Sequence, residues 1–346
     1  MITRAITLAL IACAWGMAPS DLRAADAPAL QYNDSITGPA PIPPSEQSLQ
    51  TITAAPWFKV SDKGLQLEGP VFDRQGDLIF TEVFGGQIFR LTPDKQLSTI
   101  LGENKLSPAG IALHKDGRIY VAGLGDFKDA GSVVSMAPDG SDIREIIPTT
   151  AGFLPDDLVF DDQGGFYFTD FKGTSTTPTG GVYYVAPGAD GATPAKAVPV
   201  LPNLSVANGV GLSPDGKTLW VTEFSRGLLH RVQLADATTI APFGTTIPYR
   251  FNGPAPDSLR TDMDGNVYVA MYGQGRILVL NENGMPIAQI LLPGRETGHN
   301  LRSTSMVIKP GTNDMYIFTN DWTGGEGSTI FHAKVFAKAP ADFSQQ

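Results

Sequence analysis

A two-strand unit with a tight turn recurs six times along this chain and constrains the fold more than any other feature. Each copy has a short apolar strand pattern, a turn with Gly or Asn, and a second pattern rich in β-branched and aromatic residues. The copies read EGPVFDRQGDLIFTE from Glu68, AGIALHKDGRIYVAG from Ala109, DDLVFDDQGGFYFTD from Asp156, NGVGLSPDGKTLWVTE from Asn208, DSLRTDMDGNVYVAM from Asp257 and SMVIKPGTNDMYIFTN from Ser305. Five turns contain Asp-Gly or Gln-Gly, which favours tight hairpins.

Successive copies begin about 41 to 52 residues apart, a spacing that predicts an all-β fold, a six-bladed β-propeller with one four-stranded sheet per blade. The 38 Gly and 27 Pro suit a chain with many turns. Two β-sandwiches joined end to end are the alternative, but they do not require so regular a phase. We expect one propeller domain over residues 51–340, in which residues 51–60 supply a strand that closes the ring with the last blade.

The first 25 residues have the pattern of an export signal. Arg4 precedes the apolar run AITLALIACAWGMA, and LRAADA offers small-residue cleavage sites near Ala24. The run is too short to span a membrane. LIAC, which ends at Cys13, also resembles a lipoprotein signal; this alternative is less favoured because the run stays apolar beyond the cysteine. Residues 26–50 are polar and proline-rich, typical of an extended arm, and we expect an exported, periplasmic or secreted protein.

The charge and the missing motifs narrow the function. A formal net charge of -10 and a pI of about 4.8 argue against nucleic acid or an anionic membrane as partner. Cys13 is the one cysteine, so no intramolecular disulfide can form. The sequence has no GxSxG nucleophile elbow, no HExxH and no Walker A motif. These observations exclude classes of partner and leave the partner itself open.

The first position of the repeat carries the candidate site. Counting back eight positions from the turn glycines of four units reaches oxygen-bearing side chains: Glu68, Asp156, Asn208 and Asp257. The same count gives Ala109 and Ser305 in the other two units. One phase of the repeat means one height and radius in a propeller, so the four side chains are predicted to face a common point in the central channel.

A bound cation would relieve the repulsion among three converging carboxylates. All candidate ligands are oxygens, which favours a hard ion over zinc, and Ca²⁺ tolerates a flexible ring of six to eight oxygens better than Mg²⁺ does. Ser258, next to Asp257, is positioned to add an oxygen or to touch the substrate. Two alternatives stay open: strand-start residues that only make turn hydrogen bonds, and a purely structural ion.

Several stretches together resemble the senescence marker protein/gluconolactonase/luciferin-regenerating enzyme family, closest to its branch of bacterial drug-responsive lactonases. They are LEGPVFDRQG, LPDDLVFDDQGGFYFTD, SVANGVGLSPDGKTLWVTE and APDSLRTDMDGNVYVAMYGQGR. The resemblance implies a six-bladed propeller, a catalytic divalent ion, usually Ca²⁺, and lactone hydrolysis. It places the ion ligands on Glu68, Asp156, Asn208, Asp257 and Ser258, and the proton-transferring acid on Asp257.

A second, structural Ca²⁺ of that branch is not expected here. The matching positions include Asp129 and Gly131, but Pro148 and Ala151 replace oxygen-bearing side chains, and Phe153 offers only its carbonyl. The combined interpretation is an exported Ca²⁺-dependent lactonase in which the ion polarises the carbonyl and Asp257 transfers the proton. A phosphotriesterase-like hydrolase on the same ion, and a non-enzymatic propeller that serves as a binding platform, are the alternatives.

Overall fold

Each repeat unit of the sequence forms the two inner strands of one antiparallel sheet. The computed structural model describes residues 29–32 and 34–345, so the predicted signal at residues 1–25 lies outside the described residues. The tight turns follow from glycine at positive φ, as at Gly76, where φ is 84°. Within residues 34–345 the sheets number six, which confirms the predicted six-bladed, all-β propeller.

In each blade the first strand named below lies at the channel and the others follow outward. Blade 1 is β3 (Leu67–Phe72), β4 (Leu78–Glu82), β5 (Gln87–Leu91) and β6 (Leu97–Leu101). Blade 2 is β7 (Pro108–Leu113), β8 (Ile119–Gly123), β9 (Ser132–Met136) and β10 (Arg144–Ile147). Blade 3 is β11 (Pro155–Phe160), β12 (Phe166–Asp170), β13 (Gly180–Val185) and β14 (Ala197–Leu204).

The second half of the ring repeats this order. Blade 4 is β15 (Ala207–Leu212), β16 (Thr218–Glu223), β17 (Leu228–Asp236) and β18 (Thr239–Arg250). Blade 5 is β19 (Pro256–Thr261), β20 (Val267–Met271), β21 (Arg276–Leu280) and β22 (Pro286–Leu291), with β1 (Gln50–Thr53) added at its edge. Blade 6 is β23 (Arg302–Ile308), β24 (Asp314–Asp321), β25 (Gly327–Lys334) and β2 (Ala55–Ser61).

The inner strands close a ring around a central channel. Each inner strand contacts the next one along the chain, and β23 of blade 6 contacts β3 of blade 1. Apolar clusters fill the space between neighbouring blades; the one between blades 4 and 5, for example, contains Trp220, Leu229 and Leu259. We call the end of the channel where the inner strands begin the site face, and the opposite end the far face.

The N-terminal strands contribute to two blades. β2 pairs antiparallel with β25 and completes blade 6, as predicted for residues 51–60. β1 pairs parallel with β22 of blade 5, which the sequence pattern did not predict. All four residues of β1 are exposed, so no apolar alternation marks this strand.

The structure corrects the repeat phase in blade 6. Ser303 pairs with Thr319, just as Glu68 pairs with Thr81 in blade 1. The residue in phase is therefore Ser303, and the predicted Ser305 is wrong by two positions. The cause is the length of the hairpin, since β24 has eight residues whereas β4 has five. Eight positions back from the turn therefore do not reach the ring position in blade 6.

Helices are few among the described residues. They are α1 (Asp34–Thr37) and single 3-10 turns at Pro44–Glu46, Thr149–Ala151, Phe224–Arg226, Arg295–Thr297 and Phe343–Gln345. In the part of the chain that the structure describes, no helix has the length and apolarity that a membrane crossing requires. The end of the predicted arm packs on blade 5, where Glu46 forms a buried ion pair of 2.5 Å with Arg276.

The C-terminal segment lies across the far face. Phe343 packs into the apolar cluster between blades 2 and 3, and Arg74 Nε donates a hydrogen bond of 2.6 Å to the Ser344 carbonyl. A cavity of about 540 Å³ lies between this segment and the lower ends of the inner strands, with Arg260 and Asp342 in its wall. The roomy cavity is therefore at the end of the channel away from the predicted ligands.

Candidate metal and active site

The predicted ligands occupy equivalent positions at the site face. Four of them are the second residue of their inner strands: Glu68 in β3, Asp156 in β11, Asn208 in β15 and Asp257 in β19. Ser258 follows Asp257 in β19. Asp156 is half-buried, and the other four are buried. We call these five residues the oxygen ring.

A shift of strand register follows each ring position. In blade 1 it falls between Glu68 and Val71, and equivalent shifts occur in the other inner hairpins. Such an irregularity bends the strand and re-aims a side chain. Gly69, directly after Glu68, has a φ of 55°, and a Cβ there would lie 2.1 Å from the Ala109 carbonyl oxygen. Only glycine fits at this close approach of two inner strands.

Threonines of the second strands fix the backbone of the ring. Thr169 Oγ1 donates a hydrogen bond of 2.6 Å to the Asn208 carbonyl, and Thr222 Oγ1 donates one of 2.7 Å to the Asp257 carbonyl. Both threonines are fully buried. The positions of Asn208 and Asp257 are therefore each held by the second strand of the preceding blade.

The carboxylates of the ring influence one another. Burial raises the pKa of Glu68 well above its usual range, and the carboxylates of Asp257 and Asp157 raise it further. Burial also raises the pKa of Asp156, with Glu68 as the next cause. The pKa of Asp257 is raised by burial and by Asp156, although a hydrogen bond from the Asn208 side chain lowers it. Converging groups of this kind disfavour ionisation unless a cation is bound.

The ring also contains an unsatisfied acceptor. Asn208 Oδ1 is buried and has no hydrogen-bond partner among the described residues, although such an atom normally has one. Ser258 Oγ donates a long hydrogen bond of 3.4 Å to Glu68 Oε2, which joins blades 5 and 1 across blade 6. The donor set is carboxylate, amide and hydroxyl oxygen, so the residues present fit a hard divalent cation such as Ca²⁺.

Asp157 has a different role from its neighbour Asp156. Its carboxylate accepts hydrogen bonds from Val210 N at 3.2 Å and from Arg260 Nη1 at 2.8 Å. Arg260 also lines the far-face cavity and lowers the pKa of Glu68, so it lies between that cavity and the ring. Asp157 is thus neutralised by Arg260, and Asp156 is the member of the aspartate pair that is free to bind an ion.

An aromatic side chain from every blade surrounds the mouth at the site face. Each follows the second strand of its blade by one to four residues; they are Phe84, Phe127, Phe171, Phe224, Tyr272 and Trp322. We call this set the aromatic collar. Phe84 touches both Trp322 and Phe127, with ring centroids 5.7 and 6.0 Å apart. Phe224 touches Phe171 and Tyr272 at 6.0 and 6.1 Å.

Side chains fill the two remaining gaps of the collar. Between Phe127 and Phe171, a small apolar cluster that includes Leu124 and Leu154 packs against Phe171. Between Tyr272 and Trp322 lies Arg302, whose guanidinium is 4.5 Å from the Trp322 ring centroid. The collar therefore gives the site a mostly apolar entrance with one cation.

His299 lies on the same face, in the loop before β23. Its Nδ1 is 2.8 Å from Asp321 Oδ2 and 3.8 Å from Glu326 Oε1, and the hydrogen bond to Asp321 raises the pKa of the imidazole. Ligand atoms of these three residues lie within 4.8 Å of one another. The arrangement is that of an ion-paired histidine beside the mouth.

The positions of the second, structural ion are only partly assembled. Gly131 N donates a hydrogen bond of 3.0 Å to the Phe153 carbonyl, so one available oxygen already has a partner. Asp129 is exposed, and Pro148 precedes the turn at Thr149–Ala151 without offering a side-chain oxygen. The expectation that no second tight site exists remains a prediction.

Sequence reasoning missed the collar, the Asp157–Arg260 pair and Arg302. The collar had a visible signal, since aromatic residues follow the second strand in TEVF, AGLGDF, TDF, TEF, AMY and TNDW. The ion pair had a weaker signal, the doubled aspartate at Asp156 and Asp157. Arg302 had none, because its place between two collar rings depends on how blades 5 and 6 pack.

Comparisons with known proteins agree with this architecture. A sequence model of the family described as SMP-30/Gluconolactonase/LRE-like region matches residues 67–320. The protein named lactonase drp35 of Staphylococcus saprophyticus is 51% identical over 315 residues, covering 90% of this chain and 96% of that protein. Lactonase drp35 of Staphylococcus aureus is 50% identical over 325 residues, covering 93% and 98%.

Solved structures of lower identity share the fold. The calcium-binding protein regucalcin from Agrobacterium tumefaciens has a TM-score of 0.67 at 17% identity, covering 84% of this chain and 98% of that one. A gluconolactonase from Xanthomonas campestris has a TM-score of 0.62 at 17% identity, covering 79% and 88%. With a family match over most of the propeller and relatives of half identity, the chain belongs to the SMP-30/gluconolactonase/LRE-like family.

Proposed function

We propose that this chain hydrolyses lactones at a divalent cation, Ca²⁺, bound by the oxygen ring. The observation that carries the proposal is the convergence of three carboxylates with Asn208 Oδ1, a buried acceptor that lacks a partner among the described residues. Membership of the family and the half-identical relatives named lactonases support the substrate class. The calcium-binding neighbour regucalcin supports the choice of ion.

The ring residues would divide the chemistry between them. A bound Ca²⁺ supplies Lewis-acid polarisation of the ester carbonyl and stabilises the developing oxyanion. Glu68, Asp156 and Asn208 hold the ion. Asp257 would also take a proton from the water that attacks the carbonyl carbon. It would return this proton to the leaving ester oxygen of the lactone as the acyl C–O bond breaks. The product is the open-chain hydroxy acid.

The collar supplies binding and exclusion of water. Phe84, Phe127 and Trp322 are each about half exposed, at 57%, 44% and 44%, so they present apolar surface at the mouth of the site. A lactone whose carbonyl points at the ring lays its hydrocarbon part against these rings. Burial of that surface favours binding by roughly 25 cal/mol per Å² of apolar area.

A chelation experiment tests the proposal. The protein is stripped with a chelator and dialysed, and a panel of lactones is assayed before and after Ca²⁺ is added back. We expect turnover to disappear and then return with the added ion. Linear esters and a phosphotriester serve as comparison substrates. Lactone turnover that survives complete removal of the ion, or turnover of the phosphotriester alone, would overturn the proposal.

A further inference from the structure

Arg302 differs from two other arginines whose side chains are mostly buried, Arg260 and Arg276. Its side chain makes no hydrogen bond and no ion pair with any described residue, and Nη1 is buried without a partner. In contrast, Arg260 is paired with Asp157 and Arg276 with Glu46. The contact that Arg302 does make is with an aromatic face, that of Trp322 at 4.5 Å. A guanidinium has five donors in a planar fork that matches a carboxylate, so this fork has donors left for a ligand.

The guanidinium lies in the gap of the collar between Tyr272 and Trp322. Arg302 is the first residue of β23, and its backbone bridges to Tyr272 of the neighbouring blade. Burial raises the pKa of the Tyr272 phenol, Arg302 lowers it, and the carboxylates of Asp257 and Glu68 raise it. Tyr272 is thus near both the Arg302 guanidinium and the oxygen ring, which places Arg302 at the mouth of the site.

Charge balance at the mouth points to the kind of group that Arg302 receives. The oxygen ring has three carboxylates, so a divalent ion leaves it with one net negative charge, which Arg302 offsets. Asp157 and Arg260 cancel each other. The cluster of His299, Asp321 and Glu326 beside the mouth adds at least one further negative charge, so a ligand with a single carboxylate is tolerated better than a ligand with two negative charges. A phosphate dianion would restore a strongly negative site and is disfavoured.

We propose that Arg302 is a specificity-determining residue that binds a carboxylate carried by the lactone substrate. This inference rests on the proposed function and narrows its substrate class to lactones of hydroxydicarboxylic acids, which keep one free carboxylate. The lactone carbonyl points at the oxygen ring, the hydrocarbon part packs on the collar, and the carboxylate forms a two-pronged hydrogen bond with the Arg302 guanidinium. Trp322 holds that guanidinium in place from its other side.

The test compares a lactone that carries a carboxylate with its neutral carboxamide. We expect Arg302→Gln to lower kcat/KM for the acid about tenfold to a hundredfold, mainly through KM, and to change kcat/KM for the amide less than threefold. Arg302→Lys keeps the charge but loses the fork, so its kcat/KM for the acid should lie between the values of the unaltered protein and of Arg302→Gln. Added salt should narrow the preference for the acid in the unaltered protein.

Arg231→Gln is the matched control. Arg231 also lies over a tryptophan, Trp220 at 5.8 Å, but on the third strand of blade 4 and outside the site. The Arg231→Gln variant should leave the ratio of kcat/KM for the acid to kcat/KM for the amide unchanged. Equal losses for the acid and the amide in Arg302→Gln would mean that Arg302 only supports Trp322, and the inference would be wrong. A preference of the unaltered protein for the amide would also refute it.

A binding measurement separates failure of the inference from failure of the proposed function. The carboxylate-bearing lactam, which keeps the shape but resists hydrolysis, is titrated calorimetrically into the Ca²⁺-loaded protein and into Arg302→Gln. If neither lactone is turned over, the lactonase proposal fails. Weaker lactam binding in the variant would still support the carboxylate site, and equal binding would refute it.

Discussion

Arg260 of blade 5 donates a hydrogen bond of 2.8 Å to the carboxylate of Asp157 in blade 3 and so ties two blades together past blade 4. Asp156, one residue earlier, faces the oxygen ring instead. We therefore expect these two adjacent aspartates to have separate tasks, one in fold stability and one in the proposed ion binding. Substitution of Asp157 should mainly lower stability, whereas substitution of Asp156 should mainly weaken ion binding.

Asp157→Asn should destabilise the fold, because it leaves the inward-facing charge of Arg260 without its main partner. The expected loss is on the order of 3 kcal/mol in the free energy of unfolding, measured by urea denaturation in the presence of a chelator. Asp156→Asn removes a carboxylate whose pKa is raised by burial and by Glu68, so in chelator it should not lower that free energy, and it should weaken Ca²⁺ binding instead. If both variants lose the same stability, the division of tasks is wrong.

Asp257 should be needed for chemistry beyond its part in ion binding. Asp257→Asn keeps an oxygen of similar shape but cannot carry a proton, so turnover should fall on the order of 10²-fold or more at saturating Ca²⁺. Glu68→Gln should show weaker ion affinity and recover activity at high Ca²⁺. Full recovery of both variants would make Asp257 a ligand only, and another group would have to move the proton.

The ion content of the purified protein should be about one Ca²⁺ per chain, as expected for one oxygen-rich ring. Elemental analysis after dialysis measures it, with the Asp156→Asn variant as the control that should lose the ion. Two firmly held ions in the unaltered protein would show that backbone oxygens near Gly131 and Phe153 form the second site.

Stability should depend on pH through Asp170, whose pKa is raised to about 6, mainly by burial, against a hydrogen bond from Leu154 N that lowers it. A raised folded-state pKa favours folding below about pH 4, and this contribution is lost as the pH rises through about 6. Asp170→Asn keeps an acceptor for Leu154 and removes the charge. It should therefore add on the order of 2 kcal/mol to the free energy of unfolding at pH 8 and little at pH 4.

Urea denaturation at both pH values checks this prediction, with chelator present so that ion binding does not contribute. Asp94→Asn, at an exposed position, is the control and should change stability equally little at both. A gain for Asp170→Asn that is the same at pH 4 and pH 8 would mean that the charge of Asp170 is not the cause.

We propose that the chain is exported and that the mature protein begins near Ala25 to Ala27. The charged start, the apolar run and LRAADA motivate the proposal. Mass spectrometry of the protein from its native source measures the terminus. An intact Met1 would contradict export by this signal, and a diacylated Cys13 would favour the lipoprotein alternative.

The repeat made most of the fold and the ring predictable. Because hairpins of equal length give equal positions, a count from the turns located Glu68, Asp156, Asn208 and Asp257 on equivalent inner-strand positions. The same count failed in blade 6, where the hairpin is longer. Sequence alone did not show which of two adjacent aspartates pairs with Arg260, since that depends on contacts between blades 3 and 5. The family resemblance was confirmed by comparison, whereas the roles of the ring residues remain predictions.

The pairing of β2 with β25 makes ring closure the last event that the chain can complete. Ser258 and Glu68 meet only across blade 6, and that blade needs strands from both ends of the propeller. A nascent or clipped chain that lacks β25 keeps most of its sheets but cannot bring blades 5 and 1 to their final separation. If the oxygen ring binds calcium as proposed, truncated products would be both inactive and unable to compete for the ion, and ion affinity would report whether synthesis had finished.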